Sequence, residues 1–380
     1  MALKFFTLRA QFFTLRALYL LACILVSPSA ARAQAPPTAP AGVTEHDAVF
    51  RNFTFASGEK LDEVRLHYRT LGTLQKDAQG RPTNAVLILH GTGGSGAQFL
   101  SPQFANELYG AGQLLDTAKY FLILPDNIGH GKSSKPSDGL RMRFPKYGYQ
   151  DMVKLQYQLI TEHLKIDHLR LVMGTSMGGM HTWMWATRYP QLADGWVPLA
   201  SVPTAIVGRN RMWRTMLADS IKDDPEWQDG NYQSEPMRGI RAALRLQAIM
   251  GSVPLQWHTE FGPTREKADE YIRNFVTSRA GNADANDMLY QFDSSRDYDP
   301  SAYLEQIRAP LLAINSADDQ INPPELGLME KLMPRVEGGK YLLIPISPAS
   351  RGHSSHTWAV LWMDAFRQFL TNLPAKGCSC

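Results

Sequence analysis

The chain has 380 residues, 44% hydrophobic and 20% charged, a balance that excludes a disordered or low-complexity protein and leaves room for a large buried core. Lys4, Arg9, Arg16 and Arg32 are four of its 39 basic residues, and none of its 36 acids precedes residue 34, so removing that segment takes the formal charge from +3 to −1. A charge so close to zero gives no case for a nucleic-acid partner. Three cysteines, Cys23, Cys378 and Cys380, form neither a disulfide framework nor a zinc spacing.

Residues 1–33 read as a cleavable signal peptide. The three basic residues up to Arg16 precede an apolar run from Ala17 to Val26, and Ala31-Arg32-Ala33 supplies small residues for a cut after Ala33. Ten apolar residues are too few to span a bilayer, so the expected location is periplasmic or secreted, with no stable membrane anchor after cleavage. A rival reading makes Cys23 in Leu20-Leu21-Ala22-Cys23 a lipidation site. The Pro- and Ala-rich residues 34–42 read as a linker.

Val49 to Phe55 and Glu63 to Tyr68 alternate as two antiparallel strands around Ser57-Gly58. The pattern then becomes short apolar runs suited to buried parallel strands: Ala85–Leu89, Tyr120–Leu124, Leu169–Met173, Trp196–Leu199, Pro310–Ile314 and Tyr341–Ile346. Met152–Leu164 and Thr357–Leu370 carry helical spacing. Between Thr204 and Tyr303 the strand signal disappears and charged helical stretches with Trp213, Trp227 and Trp257 take its place. The expected organisation is an α/β core over 43–203 and 304–373, a helical cap over 204–303, and a tail over 374–380. A cap inserted there covers the edge of the sheet where ligands bind in open α/β folds.

Chemistry enters at MGTSMGGM, Met173 to Met180. Ser176 sits in a G-x-S-x-G sequence between a strand and a helix, and the small neighbours Gly174 and Gly178 leave space for a sharp reversal. A serine hydroxyl needs a base to accept its proton and an acid to orient that base. In this architecture they follow in chain order. NSADDQINPP offers Asp318 and Asp319, of which Asp319 has the preferred offset before Pro323, and SRGHSSHTW offers His353 and His356, of which His353 is preferred because His356 is expected at the start of the final helix. The backbone N–H groups of Thr92, in HGTGGSG, and of Met177 are the expected oxyanion donors. Arg211 and Arg214 could bind a carboxylate, and His356 could line the site. DNIGHGKSS is expected to be a structural turn, with neither Asp126 nor His130 catalytic. No motif calls for a metal or a cofactor.

SGEKLDEVRLHYRTLGTL, TNAVLILHGTGG, GTSMGGMHTWMWATRYP and DDPEWQDGNYQSEPMRGI together resemble the α/β-hydrolase superfamily, and within it the homoserine O-acetyltransferase-like branch, over about Phe50 to Leu370. The resemblance implies an α/β-hydrolase fold, an acyl-enzyme on Ser176, and a homodimer through cap helices. Two positions depart from the transferase pattern. Ser354 follows His353 where the transferases keep an aspartate for the substrate amine, and His90-Gly91-Thr92-Gly93-Gly94 replaces their H-A-L-T-G. The expected function is therefore an exported serine esterase acting on a small-molecule acyl ester. An O-acyltransferase of the homoserine acetyltransferase type is the alternative, and a non-catalytic binding protein on the same scaffold the second alternative.

Overall fold

The computed structural model describes residues 42–374. The leader, most of the linker, Cys23, Cys378 and Cys380 lie outside the described residues.

Eight strands form one sheet: β1 Thr44–Thr54, β2 Lys60–Leu71, β3 Ala85–Leu89, β4 Phe121–Pro125, β5 Leu171–Thr175, β6 Trp196–Leu199, β7 Leu312–Ser316 and β8 Lys340–Ile344. Their order is β1-β2-β4-β3-β5-β6-β7-β8. The pairings β1/β2 and β2/β4 are antiparallel and the remaining ones parallel. The helices are α1 Pro102–Leu108, α2 Tyr149–Gln158, α3 Met177–Arg188, α4 Gly208–Lys222, α5 Met237–Met250, the short α6 Pro254–Gln256, α7 Arg265–Ala280, α8 Ala285–Asp293, α9 Leu328–Leu332 and α10 Met363–Thr371.

The inner apolar runs form parallel strands because both of their faces are covered, whereas the run expected as a buried strand over Tyr341–Ile346 forms the edge strand β8, which ends at Ile344 and is only partly buried. Along β3, Leu87 and Leu89 join a cluster with Met152 and Val153 of α2 and Trp183 and Met184 of α3. Val86 and Ile88 face the other way, into a cluster with Phe104 of α1 and Phe366 of α10. Every residue of β3, β5, β6 and β7 is buried. Burial on this scale is the dominant favourable contribution to folding.

Between β6 and β7 the chain is helical. Leu217 and Ile221 of α4, Ile240 and Leu244 of α5, Val276 of α7 and Leu289 of α8 form a third apolar cluster, with Trp227 among them. Trp213 lies instead under the Arg209 guanidinium at 4.9 Å, and Trp257 packs edge-on against Tyr271. The segment is tied to the sheet core by polar contacts. The Asp287 carboxylate accepts from the Ser137 amide and hydroxyl, and Asp297 accepts the Tyr149 and Gln150 amides at the first turn of α2. The Tyr290 hydroxyl donates to the carbonyls of Met142 and Phe144.

Two helical stretches differ from the spacing-based expectation. The helix expected over Met152–Leu164 begins at Tyr149, and its last turn, Leu159–His163, is wound as a π-helix. The final helix starts at Met363, preceded by 3₁₀ turns over Gly352–Thr357 and Ala359–Leu361. Trp358 (φ −97°, ψ 85°) leaves the helical region, and Trp362 is packed between Phe104 and Phe366. Tertiary packing of the tryptophan outweighs the local periodicity there.

Candidate active site

Ser176 stands between the end of β5 and the first residue of α3, with φ 56° and ψ −113°. A non-glycine residue in that region is strained, and the surroundings hold it there. Its amide donates to the Leu199 carbonyl on β6 at 2.9 Å. A Cβ on Gly178 would run into the Leu89 carbonyl, and one on Gly174 would run into Gly178. These close backbone approaches explain why the turn is built from glycines.

The chain brings Ser176, His353 and Asp319 together. His353 lies in the turn after β8, with Nε2 2.8 Å from Ser176 Oγ and Nδ1 2.8 Å from Asp319 Oδ2. Asp319 follows β7, and its side chain is fully buried. Burial alone would raise its carboxyl. The His353 charge and hydrogen bond, with the Ile321 and Asn322 amides, hold it below the ordinary carboxylate value instead. An ionised carboxylate only accepts, so Nδ1–H donates to Asp319 and Nε2 is left to accept the Ser176 proton.

His356 and Asp318 sit differently. His356 lies in the 3₁₀ turn rather than at a helix start, its Nδ1 is bonded to the His353 carbonyl, and burial pushes its imidazole down to about 3. Asp318 is buried and accepts from the Ser316 and Ser350 hydroxyls. Asp126 is buried as well, accepting from the Gly96 and Lys132 amides and from Arg69, which makes its loop a structural element. His130 is buried, and burial takes it down to about 3.

On the oxyanion side, Gly91 packs against Ser176 and Thr92 lines the cavity above it. Met177 is the first residue of α3, so its N–H has no intrahelical acceptor. The Gly91–Thr92 peptide is held by His90, whose Nε2 accepts from the Asn127 amide at 3.0 Å, leaving Nδ1–H to donate to the Gly91 carbonyl at 2.8 Å.

A cavity of about 160 Å³ lies over Ser176, walled by Met180 and His353 from the sheet core and by Asn210, Arg214, Gln247 and Phe292 from the helical segment. At ~30 Å³ per water-sized group it has room for about five such groups. Arg214 is 5% exposed. Its Nε donates to Asn210 Oδ1 and its Nη1 to the Phe292 carbonyl. Burial lowers its pKa, and the nearby Tyr149 phenol opposes that. Among the described residues no carboxylate pairs with it. Arg211 is exposed and lines a neighbouring groove rather than this cavity.

Tyr149, Asn210, Phe292 and Asn322 are site residues that the sequence did not single out. Asn210 had one available signal, its position four residues before Arg214 on one helix. Asn322 has its Nδ2 between the Ala200 carbonyl and Asp319 Oδ2. Among the described residues no group of three or more His, Cys, Asp or Glu side chains is placed to hold a metal ion.

A nucleophile-ready serine on a strand-to-helix turn of a mostly parallel sheet defines a class of acyl-handling enzymes. A family described as "alpha/beta hydrolase fold" matches residues 84–341. A homoserine O-acetyltransferase of Pelobacter propionicus is 30% identical over 364 residues, spanning 84% of this chain and 94% of that protein. A probable acyltransferase of Methanothermobacter thermautotrophicus is 30% identical over 289 residues, spanning 75% of this chain and 86% of its own. Among solved structures, homoserine O-acetyltransferase from Bacillus anthracis superposes with TM-score 0.76 at 22% identity over 88% of this chain and 99% of that one. Esterase E22 does so with TM-score 0.74 at 21% identity over 86% and 100%. At those identities the two structures share the fold. The chain belongs to the α/β-hydrolase fold family and, within it, to the homoserine O-acetyltransferase-like branch. The two relatives at 30% identity are named as acyltransferases, and esterase E22 shares the fold.

Proposed function

We propose that this protein is a serine O-acyltransferase, which moves a short acyl group through an acyl-enzyme on Ser176 to the hydroxyl of a small acceptor carrying a carboxylate. The observation that carries this reading is Arg214, a buried guanidinium with no carboxylate partner among the described residues, in the wall of the Ser176 cavity. A charge buried without a counterion is costly, and a carboxylate ligand supplies one through a bidentate pair. Relatives at 30% identity with acyltransferase names support the same reading.

In this reading Ser176 Oγ attacks the donor carbonyl while His353 Nε2 takes the hydroxyl proton. The Thr92 and Met177 amides stabilise the oxyanion. Collapse of the tetrahedral adduct breaks the bond to the leaving group, which receives the proton from His353. The acceptor hydroxyl then gives its proton to His353 and attacks the acyl-enzyme, and the new ester leaves as Ser176 Oγ takes the proton back. Asp319 holds the imidazole in the required tautomer throughout.

Hydrolysis is the second reading, favoured by Ser354. It is exposed beside His353 and offers no carboxylate for a substrate amine, where the resemblance places an aspartate. The discriminating assay incubates the purified protein with p-nitrophenyl acetate and rising concentrations of homoserine or other hydroxy acids, and partitions acetate from acetylated acceptor by mass spectrometry. Free acetate alone at every acceptor concentration would sink the transfer reading and leave the esterase. The leader-like residues 1–33 support export, which N-terminal sequencing of protein from a periplasmic fraction tests.

A further inference from the structure

Leu89 of β3 and Gly174 of β5 are the last paired residues of those two strands, and the expected oxyanion donors, Thr92 and Met177, each stand three residues beyond that pair. Past it the β3/β5 ladder no longer fixes how far apart the two loops lie. One side chain crosses between them. Gln98 Oε1 accepts from the Gly91 amide at 3.4 Å, and Gln98 Nε2 donates at 2.7 Å to Oγ1 of Thr175, the residue before the nucleophile. Only one orientation of the carboxamide serves, because turned over it would set Nε2 against the Gly91 N–H, donor against donor.

Gln98 is itself firmly placed. It lies in the 3₁₀ turn Gly96–Leu100, whose first amide donates to the buried Asp126 Oδ1 at 2.8 Å. A Cβ on Gly96 would strike the Leu124 carbonyl of β4, so the turn is pressed against the sheet. Gln98 Oε1 is seated within the glycine loop, where a Cβ on Gly94 would come within 2.8 Å of it. On the other side the Gly91 carbonyl accepts from His90 Nδ1–H at 2.8 Å and from the Gly94 amide at 3.0 Å. That carbonyl and the Thr92 N–H belong to one planar trans peptide and point in opposite directions, so holding the first aims the second.

We propose that Gln98 is a positioning residue for acyl transfer, which sets the spacing of the two oxyanion donors by tying the loop after β3 to the nucleophile turn after β5. The proposal rests on acylation of Ser176, the step that the transfer and hydrolysis readings share. Gln98 does not line the Ser176 cavity and acts only through the two backbones it joins. Donors placed where charge develops favour the tetrahedral adduct over the bound ester. Losing the tie therefore weakens binding of the adduct and leaves binding of the ground state nearly as it was.

The test compares two inhibitors of one skeleton: a trifluoromethyl ketone, which Ser176 converts to a tetrahedral oxyanion adduct, and the corresponding alcohol, which it cannot attack. Gln98→Met, close in length but without donor or acceptor, is expected to lower kcat/KM for p-nitrophenyl acetate roughly 10- to 100-fold, less than the ~10²–10³ of deleting a donor outright. The ketone Ki should rise by the same factor and the alcohol Ki should change little. Gln98→Glu keeps an acceptor for the Gly91 N–H and for the Thr175 hydroxyl, and should recover part of the loss. Thr175→Val cuts the same tie from its other end, so its loss should not add to that of Gln98→Met. Melting curves check the fold of each variant. An unchanged ketone Ki, equal weakening of ketone and alcohol, or additive losses in the double variant overturns the proposal. The ratio of the two Ki values needs no turnover, so absence of p-nitrophenol release by the wild-type protein, which would sink both acyl-enzyme readings, is a separate result.

Discussion

Asp318 and Asp319 are chain neighbours whose carboxylates serve different partners: Asp319 accepts from His353 Nδ1, while Asp318 accepts from the hydroxyls of Ser316 and Ser350. One orients the imidazole, and the other fastens the turn that carries it. Asp319→Asn is expected to lower kcat by roughly 10⁴-fold with little change in melting temperature, because the amide favours the wrong tautomer. Asp318→Asn leaves one hydroxyl without its acceptor and should cost about 1–3 kcal/mol of stability while keeping most of kcat. Paired kinetics and melting curves check this, and equal kcat losses in the two variants would contradict the division of roles.

Arg214 is expected to act on the acceptor. Arg214→Met should raise KM for a carboxylate-bearing alcohol roughly 10- to 100-fold, the range of a hydrogen bond to a charged group. The burst of p-nitrophenol that reports acylation should fall much less. Arg214→Lys keeps the charge without the fork geometry and should recover only part of the loss. An acceptor series with and without the carboxylate reads this out.

Gly178 fixes the nucleophile turn by its lack of a side chain. In Gly178→Ala the new Cβ meets the Leu89 carbonyl, a backbone atom of a central strand that cannot step aside. The expected cost is ~3 kcal/mol or more, at the upper end for overpacking, with loss of soluble protein on expression. A wild-type melting temperature would contradict the packing described for this turn.

The buried histidines set an acid limit on stability. Burial lowers His90 and His181 and takes His130 and His356 to about 3, so all four are neutral in the folded protein while the unfolded chain protonates near 6.5. The unfolded state then binds more protons as pH falls below 6.5, and the folded state loses stability with each step downward. Three acids act oppositely: burial raises Asp151, takes Glu235 to about 7 and takes Asp287 to about 6, so each contributes stability at low pH that is lost as pH rises through its folded value. Four histidines against three acids leave a net fall from pH 6.5 toward 5. His181→Asn, which keeps an acceptor for the Gln156 amide, should reduce the slope by about 1.4 kcal/mol per pH unit, one proton's worth. Denaturant melts at pH 7.5, 6.0 and 5.0 measure it.

Much of the sheet could be read in advance because a strand buried on both faces has to be apolar throughout, and five such runs stand out between more polar stretches, with a sixth forming the partly exposed edge strand β8. The sharp turn at Ser176 was equally readable, since glycines flanking a serine between strand and helix leave few alternatives. Choosing between His353 and His356 rested on position alone. The structure separates them by direction, Nε2 of one toward Ser176 and Nδ1 of the other toward a backbone carbonyl. Tyr149 and Asn322 carried no local signal, because their relevance comes from the fold bringing distant segments together. The packing of α4 against α5 and α8, with Arg214 against Phe292, buries Arg214 and exposes Arg211, and helical spacing alone does not specify it.

The contacts of α8 limit how a ligand can enter. Asp287 near its start is fastened to Ser137, and Tyr290 one turn later to two backbone carbonyls beneath it; Asp297, just beyond its end, holds the first turn of α2. Swinging the whole helical segment outward would break all of these at once, so the backbone around the Ser176 cavity serves as a fixed frame for the ligand that enters it.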